Sequence, residues 1–321
     1  MSRLLALLLV GLTACAASAE EPPHLIGLPP IPAQIFGTPA MRALGQKLFF
    51  DRGLSVNHTL SCAMCHIPEQ AYASNQSALS IGMEGRALRR NAPSLYNVVF
   101  KQHLFHDGRE TDLVAQAWGP LLAGDEMGNL SIGPLLDRLR RDKAYGAVFD
   151  DAFPNEGVTM TTLGRAVASF EATLLIGATR FDRAIFAGEK DALAPQEWRG
   201  YALFIGKAGC AVCHAIGARD ALFTDQSWHN TGVGFARRNS DATRVELAKG
   251  VHATVRLATP MLRGVKDSWP YMHDGSLATL EEVVEFYDRG GGTNPGLDDR
   301  IKPLGLTDEE KTALVAFLKA L

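Results

Sequence analysis

The chain has 321 residues, 46% of them hydrophobic and 21% charged, a balance that excludes disorder and allows about two domains of ordinary size. With 32 basic against 35 acidic residues and a net charge of −3, it carries no positive excess for nucleic acid. Five cysteines are too few for a disulfide scaffold, and the odd number needs an explanation.

The N-terminus supplies it. Arg3 precedes an apolar run over 4–12, which is too short to span a bilayer but suits a secretory signal core. Ala17-Ser18-Ala19 before Glu20 is a small-residue cleavage pattern, so 1–19 reads as a signal peptide and Cys15 leaves with it. Leu12-Thr13-Ala14-Cys15 also has the form of a lipobox, in which Cys15 becomes a lipid-anchored first residue. Both readings imply an exported, periplasmic protein that keeps four cysteines, and no later stretch is long and apolar enough to cross a membrane.

Further along, the apolar helical stretch 45–50 leads to Cys62-Ala63-Met64-Cys65-His66. This C-x-x-C-H pattern is the attachment signature of c-type haem: two thiols form thioethers with the vinyl groups, and the histidine presents imidazole to the iron. A redox disulfide does not require the histidine, and a zinc site would want further cysteine–histidine pairs that the chain lacks. Pro93-Ser94-Leu95-Tyr96-Asn97-Val98 follows, then His106-Asp107-Gly108, then a helical pattern opening at Leu113, with Gln116 four residues before Pro120 and Glu126 six after it. Helical periodicity recurs over 164–173, and 187–196 reads as a linker.

Past the linker the same features return in the same order. The stretch 200–205 precedes Cys210-Ala211-Val212-Cys213-His214, so every mature cysteine serves one of two haem motifs. Pro260-Met261-Leu262-Arg263-Gly264-Val265 repeats P-x-L-x-x-V, and each copy's histidine, His106 or His273, stands thirteen residues beyond its proline. Seven residues further, Leu113 and Leu280 open helical patterns; 281–287 and 307–318 are helical, the latter led by the capping box Thr307-Asp308-Glu309-Glu310. The fold expected is mainly α, with two cytochrome c-like haem domains arranged as an internal duplication, 20–190 and 191–321.

The duplication allows the copies to be compared position by position. Fourteen residues after the H-D-G histidine the second copy has Tyr287 and the first Pro120. If that position faces the iron opposite the motif histidine, Tyr287 closes its site through a phenolate while Pro120, with no donor atom, leaves its site open. As a single helical aromatic, Tyr287 also reads as a core residue. Glu126 would move the proton when the O–O bond of bound peroxide breaks, and Gln116 would hold peroxide or water by hydrogen bonds. Asp125 beside Glu126 competes for the base role, and a loop carboxylate is ordinarily solvated.

The paired C-x-x-C-H motifs, Arg90-Asn91-Ala92-Pro93-Ser94-Leu95-Tyr96-Asn97, Asp107-Gly108-Arg109, Gly119-Pro120-Leu121 with Glu126-Met127, and Pro270-Tyr271-Met272-His273-Asp274-Gly275-Ser276 resemble the bacterial di-haem cytochrome c peroxidase / MauG family, from about residue 38 to the C-terminus. The resemblance implies a peroxidatic first haem on His66 and an electron-transfer second haem on His214 and Tyr287, with Gln116 and Glu126 handling peroxide. It further implies a calcium ion at the Asn91 side chain and the Ser268 and Pro270 carbonyls. Tyrosine at 287 matches the MauG-like branch, where peroxidases of the family usually have methionine, and no methionine follows Met272. The stretch 77–86 lacks the loop histidine that often closes the first haem, so that site should need no activation. Two departures stand out: His106 replaces the family's frequent inter-haem tryptophan, and Lys207-Ala208-Gly209 replaces the tryptophan before the second motif. Trp198, Trp228 or another path would then have to serve.

The function expected is a periplasmic di-haem oxidase, with two covalently bound haem c groups, that uses hydrogen peroxide to form high-valent iron and oxidise tryptophan or tyrosine of a partner protein. The alternatives are a peroxide-scavenging peroxidase fed by a small cytochrome or cupredoxin donor, and a di-haem electron carrier without catalysis.

Overall fold

The computed structural model describes residues 21–74, 77–234 and 256–321; the segment read as a signal peptide, and Cys15 with it, lies outside the described residues. The architecture is mainly helical. In the N-terminal half, α1 (Ala33–Phe36), α2 (Pro39–Phe50), α3 (Cys62–Cys65), α4 (Leu113–Gln116), α5 (Trp118–Leu122), α6 (Ile132–Arg141), α7 (Lys143–Ala152) and α8 (Met160–Glu171) pack together. In the C-terminal half come α9 (Arg180–Phe186), α10 (Pro195–Ile205), α11 (Leu280–Asp288) and α12 (Asp308–Leu318). The regular strands described are β1 (Trp228–His229) and β2 (Leu257–Ala258), paired antiparallel.

Local chemistry sets where these helices start. Thr38 caps α2 by accepting from the Met41 amide, with Pro39 in the first turn, where a missing N–H costs nothing. Thr307 and Glu310 close the expected capping box on α12, and Thr159 with Thr162 builds an equivalent one on α8.

Each half is organised by one helix crossing, and the two crossings match. A Cβ on Gly45 of α2 would lie 1.9 Å from the Ala166 carbonyl oxygen of α8, and one on Gly200 of α10 would lie 2.0 Å from that of Ala313 in α12. Only glycine allows backbones to approach this closely. Beside the crossings, Phe49 packs on Phe170 and Phe204 on Phe317, both with ring centroids 5.1 Å apart. The loops match as well. Asn97 and Gly264 both take left-handed backbone, and their amides donate to Leu174 and Leu321 carbonyls at 2.7 and 3.0 Å. The bridge between Leu104 and Glu110 around the first H-D-G recurs between Tyr271 and Leu277 around the second.

The halves meet through main-chain hydrogen bonds. The Asn91 amide donates to His273 O at 2.7 Å, and the Ala258 amide to His106 O at 2.8 Å. Trp228 Nε1 reaches Asp107 O at 3.1 Å, and its indole lies against Gly108, whose missing Cβ makes room for it.

Candidate redox site

The two cysteine–histidine motifs sit on single helical turns beside the glycine crossings. Cys62, Cys65, Cys210 and Cys213 are free thiols, half-buried at the edge of each core. Burial pushes the Cys62 thiol up to about 12, with the Glu171 charge adding to it, and burial pushes Cys210 to about 12 as well. Neither thiol is poised as a nucleophile or redox thiolate at neutral pH, which fits thiols that end as thioethers better than a disulfide exchanger.

Each motif histidine is oriented by the main chain. His66 Nδ1 lies 2.9 Å from Tyr72 O, and His214 Nδ1 lies 2.8 Å from Phe223 O. A carbonyl can only accept, so each Nδ1 carries the proton and each Nε2 keeps its lone pair for a metal. Burial lowers both imidazole pKa values, which keeps them neutral and able to ligate. Neither acceptor was legible in the sequence. Tyr72 and Phe223 stand six and nine residues after their histidines, and both use positive φ (50° and 54°), which their side chains do not announce.

Tyr287 lies near the end of α11, close enough to Cys210 and Cys213 for their charges to act on its phenol. Burial is the larger influence, and all three push the phenol upward. A phenolate forms here only beside a compensating cation, which a ferric iron held by the second motif would supply. The donor set of the second centre therefore fits a covalently held haem iron.

At the matching place in the first half the helix is broken. Pro120 has no amide to bond the carbonyl four residues back, and the run divides into α4 and α5 at Ala117. Gln116 ends α4, half-buried. The chain then turns back: the Glu126 and Gly128 amides donate to Ala123 O at 3.0 and 2.9 Å, and the Met127 amide to Pro120 O at 3.1 Å. Met83 anchors this turn from the 77–86 stretch by donating its amide to Asp125 O at 2.9 Å. Glu126 is thereby held within electrostatic reach of Cys65 and Cys62. Burial raises its pKa, Asp125 raises it further, and Arg109 opposes both. A half-buried carboxyl with a raised pKa, within electrostatic reach of the first motif, is chemically suited to taking up and returning a proton.

His106 lies between the halves, its Nε2 donating to Asn91 O at 2.9 Å and its ring 6.4 Å from that of His273. Burial takes its pKa down to about 3, so it is neutral. Asn91 is buried, and its side-chain amide donates to Ala78 O at 3.0 Å. Ser268 is half-buried and Pro270 buried on the facing loop. Among the described residues no group of three acidic, histidine or cysteine ligands gathers there, so a cation would rest on neutral oxygens and water. Sequence reasoning also missed Glu171, which is buried beside Cys62 with Oε2 lacking a partner and its pKa pushed by burial to about 8. Buried glutamates leave no pattern that distinguishes them from solvated ones.

Comparison with known proteins gives consistent matches. Residues 39–191 match the family model described as di-haem cytochrome c peroxidase, and 198–321 match that of cytochrome c. The chain is 37% identical to "Cytochrome-c peroxidase IdrP1" of Denitromonas iodatirespirans, covering 96% of this chain and 89% of the relative. It is 38% identical to "Methylamine utilization protein MauG" of Methylorubrum extorquens, covering 88% and 78%. Among solved structures, a MauG-like protein associated with microbial copper homeostasis superposes with a TM-score of 0.78 at 31% identity, covering 92% of this chain and 93% of that one. No helix among the described residues is long and apolar enough to cross a membrane.

Proposed function

The chain belongs to the di-haem cytochrome c peroxidase family, and on that premise we propose that it uses hydrogen peroxide to oxidise tryptophan or tyrosine side chains of a partner protein in the periplasm. As a family member it is a haem-dependent peroxidase with two haem groups, acting on peroxide together with a protein partner. The single observation that carries the finer reading is the pairing of Tyr287 with the second motif where the first has Pro120.

When bound, the haems supply an iron that cleaves peroxide and a second iron that stores oxidising power. Cys62 and Cys65 hold the first haem and Cys210 and Cys213 the second, with His66 and His214 as proximal ligands oriented by the Tyr72 and Phe223 carbonyls. Pro120, which has no donor atom where the second half has Tyr287, would leave a haem held by Cys62, Cys65 and His66 without a second protein ligand. Glu126 accepts a proton from peroxide and returns it to the departing oxygen, while Gln116 holds the molecule in place. Tyr287 offers a phenolate, a strong donor that favours high oxidation states and disfavours easy reduction by a small cytochrome. That preference separates a protein-oxidising enzyme from a scavenger. A calcium ion held by the Asn91 side chain and the Ser268 and Pro270 carbonyls belongs to the same proposal, as does export through a signal at 1–19 with or without lipidation of Cys15.

Steady-state turnover with reduced cytochrome c tests the reading: the holoprotein should consume peroxide slowly with that donor, and fast turnover would favour the scavenging peroxidase instead.

A further inference from the structure

We propose that the Lys101 ammonium binds a haem propionate at the boundary between the two halves and, as its counter-charge, raises the reduction potential of that haem. The proposal rests on the two-haem reading of the chain and adds a residue that neither C-x-x-C-H motif announces.

Lys101 stands where the two halves are joined. Its amide closes the 3₁₀ turn Val98–Phe100 by donating to Val98 O at 3.0 Å. On either side of it, Phe100 O accepts from Gln226 Nε2 at 3.1 Å, and the Gln102 amide donates to Gln226 Oε1 at 3.3 Å. Gln226 comes three residues after Phe223, whose carbonyl orients His214. Lys101 itself comes eight residues after Pro93, whose carbonyl is near enough to act on His66. One loop position is thereby tied to both cysteine–histidine centres.

The side chain is half-buried, and its charge has no partner. No carboxylate or carbonyl among the described residues pairs with Nζ, and burial alone takes its pKa down to about 8. Arg90 at the same boundary differs, being paired with Asp107 at 2.9 Å. Enclosing an ammonium without an anion is costly, and removing the cost takes a negative group beside it. The Lys101 charge also reaches His106, which lies between the halves. Two further polar atoms there are buried and unpartnered: His103 Nδ1, two residues on, and His273 Nε2 on the facing loop. Such a set suits a polar, anionic group brought from outside the chain. Each haem brings two carboxylates, and an ammonium meets a carboxylate in a charge-assisted hydrogen bond.

The duplication supplies an internal control. The shift along the chain that turns His106 into His273 turns Lys101 into Ser268. Both residues close equivalent 3₁₀ turns, Val98–Phe100 and Val265–Asp267, with matching amide bonds to Val98 O and Val265 O. Ser268 satisfies its hydroxyl inside its own turn, on Val265 O at 3.3 Å. The same turn thus forms in the second half without a cation, and packing does not require the ammonium of the first. The boundary is otherwise matched, since the same shift exchanges the bond from Asn91 to His273 O with that from Ala258 to His106 O. Lys101 therefore adds one positive charge to one side of a paired contact. A positive charge beside a haem carboxylate disfavours the more highly charged, oxidised iron, which sets the sign of the effect.

The test is a spectroelectrochemical titration of the holoprotein that follows each haem separately, together with resonance Raman spectra of the propionate bending modes. The samples are wild type, Lys101→Gln, Lys101→Met, Lys101→Arg and the control Lys143→Gln, which removes an exposed lysine on α7. Either neutral variant should lower the potential of one haem by about 59 mV, a tenfold change in the ratio of reduced to oxidised iron, and shift its propionate mode. Lys101→Arg and the control should stay near wild type. The haem that responds, first or second, is the one whose carboxylate Lys101 holds. Potentials unchanged in both neutral variants would overturn the proposal, as would equal shifts of both haems with unaltered propionate modes, and the two-haem reading would stand in either case. An intact mass of the wild-type holoprotein with fewer than two haems would overturn that reading itself.

Discussion

At the scale of single residues, the proposed function rests on the difference between Pro120 and Tyr287. Tyr287→Met replaces an anionic donor by a neutral thioether, which favours the reduced iron. Turnover with reduced cytochrome c should rise at least tenfold while the oxidised state shortens, as steady-state assay and stopped-flow absorption would show. Glu126→Gln keeps the shape and removes the base, so the second-order rate with peroxide should fall by about 10²–10⁴-fold. Because burial raises the Glu126 pKa and the base must be ionised, wild-type activity should fall with acid at a pH above the ordinary glutamate range, and the variant should lack that limb. Glu171 works on stability in the opposite sense. Its pKa of about 8 in the folded protein exceeds that of the unfolded chain, so the folded state holds the extra proton. Stability should therefore fall as pH rises from the ordinary glutamate range through about 8 and then level off. Urea unfolding of Glu171→Gln across that window should show a flatter dependence.

At the scale of elements, the glycine crossings hold each half together. Gly45→Ala and Gly200→Ala push a methyl group onto a backbone carbonyl that cannot yield without parting two helices. Each should cost about 1–3 kcal/mol. Gly146→Ala on α7, where an added Cβ meets nothing within 4 Å, should instead stabilise by about 0.5–1 kcal/mol. Thermal unfolding of the three variants checks the contrast. These crossings also show what a sequence carries and what it conceals. The haem motifs, the repeated spacing and the capping box on α12 were legible because each binds particular side chains to fixed intervals. The carbonyls of Tyr72 and Phe223 that orient the histidines were not legible, since a main-chain acceptor places no demand on its own side chain.

At the scale of the molecule, one module appears twice with its packing kept and its chemistry divided. Gly45 and Gly200, Phe49 and Phe204, and Asn97 and Gly264 do the same mechanical work in both halves. The difference between them lies at Pro120 against Tyr287. On the proposed function, the first half meets peroxide and the second holds oxidising power. The most direct test is stopped-flow absorption of the resting holoprotein mixed with one equivalent of hydrogen peroxide and no donor. Spectral change at both haems that persists long after the peroxide is gone, and that collapses only when an oxidisable protein is added, is the result predicted. Rapid return to the resting spectrum, with no protein side chain oxidised, would contradict it.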